Sequence, residues 1–130
     1  MATTIISAAV RQVVVGASEA RTETFTSDSY TKQGWQSRGL HLVIDVTAIT
    51  DTPILTPAIQ GQDTASGEWY DVLVGSAISA TGTSVLKVYP GIEPVANGAA
   101  SDVLPPIWRV VVTATDADRA TYSVGANLLP

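Results

Sequence analysis

Hydrophobic and polar positions alternate with a period of two along much of this chain, and the longest run is Gly39 to Ile49. Leu40, Leu42, Ile44, Val46 and Ala48 fall on one side of it, and His41, Val43, Asp45, Thr47 and Ile49 on the other. Successive side chains of a strand point to opposite faces, so this pattern predicts a strand with one buried face. Thr50-Asp51-Thr52-Pro53 reads as a turn, because Asp bonds its own backbone and Pro cannot donate to a ladder. Ile54 to Gln62 is then the returning strand of an antiparallel hairpin, with Pro57 marking an edge position or a bulge. Glu68 to Val74 and Ser84 to Tyr89 follow as strands, separated by turn-rich stretches around Gly67 and Gly82. Ile107 to Thr115 is a strong strand, Asp116-Ala117-Asp118 a turn, and Arg119 to Leu128 the partner strand, with Tyr122, Val124, Ala126 and Leu128 on one face.

The first 38 residues are less regular. Val10 to Val15 and Arg21 to Thr26 read as strands joined through Gly16-Ala17-Ser18, and Ser27 to Arg38 as a connection carrying Tyr30 and Trp35. Residues 1–9 read as an N-terminal arm and 10–130 as one domain. Pro90 to Pro106 holds four of the seven prolines and reads as a long loop or lid. Val, Ile and Thr, which suit a pleated surface, dominate, and no 3.6-period stripe of ten residues interrupts them. About eight short strands with turn signals roughly every 8–12 residues predict an all-β chain, an antiparallel sandwich or jelly roll, with a closed barrel as the alternative.

Composition narrows the chemistry. A chain of 130 residues is one domain, large enough to bury a core without staples. It has no cysteine and one histidine, so thiolate and histidine-rich metal sites are excluded. Charged residues make up 15% against 45% hydrophobic ones, which argues against disorder. A net charge of -5, with lysine only at Lys32 and Lys87, argues against a nucleic-acid partner. The start carries no basic n-region, and no apolar run reaches the roughly 18 residues of a membrane helix, so the expectation is a chain made in the cytoplasm with no membrane partner.

Catalytic constellations are hard to find. His41 and Asp45 share a strand face but stand four residues, roughly 13 Å, apart. No nucleophile elbow, zinc-protease helix or phosphate loop occurs. Asp63, Glu68 and Asp71 gather around one loop, and Asp116 and Asp118 in one turn; both read as turn-forming acids with too few ligands for calcium. The Glu68 and Asp71 pair carries the same weakness as a glycosidase site. Of the three tryptophans, Trp108 lies beside Val110 and Val112 and reads as core, while Trp69 alternates with Tyr70, so only one of those two faces inward. No catalytic, cofactor-binding or metal-ligating residue is expected.

Several phrases carry a resemblance. Gly39-Leu-His-Leu-Val-Ile-Asp-Val-Thr-Ala-Ile, Thr52-Pro-Ile-Leu-Thr-Pro-Ala-Ile-Gln-Gly-Gln-Asp, Ser66-Gly-Glu-Trp-Tyr-Asp-Val, Leu104-Pro-Pro-Ile-Trp-Arg-Val-Val-Val-Thr-Ala-Thr and Thr121-Tyr-Ser-Val-Gly-Ala-Asn-Leu-Leu resemble small virion proteins of tailed bacteriophages. The resemblance covers roughly residues 39–129 and implies a capsid decoration (cement) protein, with a tail tube or connector subunit as the alternative. It implies a virion location, contact with the major capsid protein and with copies of itself, a trimer among the arrangements, and no cofactor. It supplies no site residue.

An interface of that kind is richest in aromatic and Arg anchors. The expected anchors are Ile5 and Ile6 in the arm, and Tyr30, Trp35, Arg38 and Tyr89 in or beside loops. The arm has strand propensity but little to pack with, so it is expected to add to a neighbour's sheet edge, with the 90–106 loop as a second contact. Two other classes remain: a carbohydrate-binding module, which needs a row of exposed aromatics on one sheet face, and a small hydrolase, which needs His41 to meet an acid and a nucleophile in a pocket.

Overall fold

The computed structural model describes residues 3–6, 12–32 and 37–130, with 3–6 and 32 described through their backbone. The chain is all-β, a sandwich of two sheets. Eleven strands are described: β1 (Thr3–Ile6), β2 (Gln12–Arg21), β3 (Phe25–Thr26), β4 (Ser29–Lys32), β5 (Gly39–Ile49), β6 (Leu55–Gln62), β7 (Trp69–Val74), β8 (Gly82–Val88), β9 (Ala99–Ala100), β10 (Ile107–Ala114) and β11 (Ala120–Leu129). One sheet runs β1-β4-β10-β6-β7, with β3 also pairing β10; the other runs β2-β11-β5-β8-β9. Most pairs are antiparallel, but β1 joins β4 and β9 joins β8 in parallel.

The core is what the alternation predicts. Leu40, Leu42, Ile44 and Val46 of β5, with Tyr122, Val124, Ala126 and Leu128 of β11, face Ile59, Trp108, Val110 and Val112 of the opposite sheet in one cluster. Burying a side chain of that size contributes on the order of 1.5–3 kcal/mol. Trp108 is fully buried and stacks on Tyr30 with ring centroids 4.7 Å apart.

Both expected hairpins are corrected. β5 and β6 lie in different sheets, as do β10 and β11, so the turns at residues 50–54 and 115–119 carry the chain across the sandwich instead of folding it back. Thr50 N donates to Arg119 O, which ties the two crossings together. Nor is Pro57 on an edge, since β6 lies between β10 and β7. The carbonyl of Pro57 accepts from Gly75 N, just past the end of β7. N and O of a strand residue point to the same side, so the missing N–H costs the β10 ladder nothing. Gly16-Ala17-Ser18 is no turn: β2 runs through it, and the register against β11 shifts between Gly16 and Val14 as in a bulge.

The 90–106 stretch is not a free lid. It contributes β9, and Leu104 is fully buried with its N–H donating to Arg38 O. Residues 3–6 of the expected arm pair with the chain's own β4, Ile5 opposite Thr31 and Ile6 opposite Lys32. At one end of the sandwich Arg21 reaches between the sheets. Its guanidinium lies 4.4 Å from the Tyr122 ring centroid and 4.7 Å from that of Phe25, and it donates to the Tyr122 and Ala17 carbonyls.

Candidate interaction surface

The two sheets present different outer faces. On the sheet containing β10, one outward level is a bonded set of polar side chains, and the next is Val111–Ala58–Val74. Arg109 lies 4.2 Å over the Trp69 ring, its Nε donates to Gln60 Oε1 at 2.8 Å, and Gln60 Nε2 donates to Asp71 Oδ1 at 2.9 Å. A register shift between Ile59 and Gln60 allows this: Asp71 stays outside while Leu73, two residues on, is buried.

The outer face of the other sheet is plain. Because β5 alternates strictly, its outward residues His41, Val43 and Asp45 sit level with outward residues of β11 and β8. The middle level runs Val14–Gly125–Val43–Val85 across four adjacent strands. Val14 is 75% exposed and Val85 42%. One level to one side stand Gln12, Asn127, His41 and Lys87; one level to the other stand Ser123, Asp45 and Thr83. Thr83 Oγ1 donates to Asp45 Oδ1 at 3.2 Å. Within these three levels the formal charges are one Lys and one Asp. Past β8 stands Val95, 57% exposed and level with Lys87 through Ala99, beside a hollow of about 430 Å³ that Val85, Lys87, Ile92, Glu93 and Ala99 also line. A second shallow hollow of about 370 Å³ lies at the His41 end, against Tyr89, Ile92, Leu129 and Pro130.

The expected anchors do not converge on this face. Tyr30 is corrected: it is 4% exposed and belongs to the core through its stack on Trp108. Burial also raises its hydroxyl above the usual tyrosine range, with Asp28 adding to the effect. Trp35 and the side chains of Ile5 and Ile6 lie outside the described residues. Arg38 is exposed, and its backbone pins the corner where Leu129 and Leu104 meet. Tyr89 is half-buried at the margin of the face, its hydroxyl donating to Pro130 O. The valine row carries no sequence signal, since its members are scattered and only the register lines them up.

His41 faces Asn127 and Lys87 across its strand, with Asp45 a further two levels along. Asp63 serves its own turn, accepting from Ser66 Oγ at 2.7 Å and Ser66 N at 3.1 Å, and these bonds hold its carboxyl below the ordinary range. Asp71 is taken up by Gln60, and Asp118 accepts from Thr52 N and Oγ1. Among the described residues no group of three His, Asp or Glu is placed to hold a metal, and no helix is long and apolar enough to cross a membrane. Trp69 lies under Arg109 and Tyr70 points to the opposite face, so the described aromatics form no sugar-stacking row. Compared with known proteins, the chain matches no family model, no curated protein and no solved structure.

Proposed function

We propose that this chain is a non-enzymatic structural protein of a tailed-phage virion, a decoration subunit that works by contact with the major capsid protein and with copies of itself. One observation carries the reading: a sheet face four strands wide with an apolar row across its middle and almost no charge. Interface centres are depleted in charged residues, and flat sheet faces pack against one another about 10 Å apart. A cement protein adds buried area at junctions of the shell, and a specific junction takes upward of about 1,000 Å². The resemblance of residues 39–129 to small phage virion proteins points the same way.

The test is direct. Particles are induced from the host that encodes the chain, purified on a density gradient, probed with antibody to the chain and imaged by electron microscopy. The reading expects the chain in stoichiometric amount on the head surface. Label on the tail would move the assignment to a tube or connector subunit, and particles free of the chain would overturn it.

A further inference from the structure

We infer that the outer face of the five-stranded sheet is a self-association surface, on which a second copy packs face to face about a two-fold axis lying along the Val14–Gly125–Val43–Val85 row. The inference deepens the contact reading above by naming what covers this face.

Charge placement selects the occupant and the axis. A rotation about the row leaves the row on itself and exchanges the levels on either side of it. His41 of one copy then stands over Asp45 of the other, with Lys87 one strand away and over Thr83. A two-fold along the strands, centred on the same face, would instead lay Lys87 over Gln12 and Asp45 over Ser123, leaving neither charge opposite a counter-charge and bringing the two Asp45 within one strand of each other. Within the three levels one Lys and one Asp balance, so the surface is complementary to itself although the chain carries a net charge of -5. Isologous contact demands that self-complementarity.

Size and shape agree. Four strands about 4.8 Å apart and seven residues at about 3.3 Å each give a footprint of about 19 by 23 Å per copy. Ile92, Glu93 and Val95 extend it on the β8 flank, Glu93 lining the same hollow as Lys87, which brings the pair to the roughly 1,000 Å² a specific interface requires. The row has no bulky side chain to hold two sheets apart, and at its second position Gly125 has nothing within 4 Å of where a Cβ would stand.

That open space makes the test clean. Gly125→Arg meets no obstacle inside the chain but places a long charged side chain in the middle of the row. Sedimentation equilibrium and light scattering on purified protein are expected to give a dimer for the wild type and a monomer for Gly125→Arg, with unchanged circular dichroism. Lys87→Glu and Asp45→Lys are each expected to weaken the dimer about tenfold, since each contact occurs twice. The double variant should recover most of that loss. Within one chain the two side chains are about 14 Å apart, beyond the roughly 8 Å screening length at physiological salt, so recovery reports the contact between copies. A wild type still monomeric at about 1 mM, a dimer indifferent to Gly125→Arg, or a double variant no better than the single ones would each overturn the inference. Because these measurements use the isolated chain, a monomer leaves the virion assignment to the particle experiment, and particles lacking the chain leave the dimer standing.

Discussion

Two glycines in adjacent strands should respond to the same methyl group in opposite ways. At Gly39 an added Cβ would stand 1.9 Å from Val88 O, 2.9 Å from Val88 C and 3.0 Å from Tyr89 Cα. All three are backbone atoms, so no side-chain rotation relieves the overlap. The carbonyl must retreat by about 1.5 Å to reach an ordinary contact, which opens the end of the β5–β8 ladder at the Leu40–Val88 pair. The same corner holds Arg38 N to Leu129 O and Leu104 N to Arg38 O. Overpacking costs about 1–3 kcal/mol and a weakened ladder bond about 1, while the stiffer unfolded chain returns about 0.5. Gly39→Ala should therefore lose about 2–3 kcal/mol. Gly125→Ala meets nothing within 4 Å and should gain about 0.5 kcal/mol. A gap of about 3 kcal/mol corresponds to about 12 °C in Tm for a chain of this length. Guanidinium unfolding followed by tryptophan fluorescence, with circular dichroism as a second probe, measures both. A Gly39→Ala protein within about 0.5 kcal/mol of wild type, or a Gly125→Ala protein that loses as much as Gly39→Ala, refutes the packing of β5 against β8.

Other positions give independent checks. The Tyr122 hydroxyl is buried without a hydrogen-bond partner among the described residues, so Tyr122→Phe should be neutral or stabilise by up to about 1 kcal/mol in thermal unfolding at pH 7. Burial, opposed by Arg21 and aided by Glu19, raises this group above its ordinary 10.0, so the folded state keeps its proton longer than the unfolded chain; stability should fall as pH rises beyond 10, less steeply in the Phe variant. Leu104→Ala should cost about 2–5 kcal/mol in denaturant unfolding, because the side chain is fully buried; a loss under 1 kcal/mol would return the 90–106 stretch to a loosely attached loop. Ser66→Ala removes the hydroxyl bond that lowers Asp63, so carboxyl NMR should find Asp63 nearer 3.8 in the variant; the stability gap to wild type should be full above pH 3.8 and close as pH falls through the lowered value.

What could be read from the sequence is what alternation encodes. The bounds of β5, β10 and β11 and the buried side of each follow from side chains two residues apart, and the structure keeps them nearly unchanged. Partnership is not local. A four-residue turn such as Thr50–Pro53 reads the same whether the chain folds back in one sheet or crosses to the other, and the choice is made by Ile44 and Ile59 meeting in one core. Gly16-Ala17-Ser18 has the composition of a turn, but the β2 backbone continues through it as a bulge because β11 supplies partners on both sides. Tyr30 sits in a four-residue strand too short to show a period, and only its pairing with Trp108 on β10 explains its burial. Arg21 gave no sequence signal, since its site is two rings contributed by β3 and β11.

The same limit explains why the candidate surface emerges only from the fold. Val14, Val43 and Val85 are separated by dozens of residues, and each alone is an ordinary exposed valine of the kind every soluble protein carries. Register turns them into a row, and the comparison with the opposite sheet gives the row its meaning. There, Trp69 is roofed by Arg109, Arg109 is held by Gln60, and Gln60 by Asp71, so the large apolar ring on that face is covered by the chain's own polar groups. Long side chains lay their stems over apolar surface in this way and make a face self-sufficient in water. The valine row has no such cover. Gln12, Asn127 and Ser123 on either side are short or uncharged, the long Lys87 stands only at the β8 end, and Asp45 is engaged with Thr83 on its own level. With one backbone architecture behind both faces, the difference lies in which side chains the register aligns, and it leaves Val14 and Val85 exposed on the valine face.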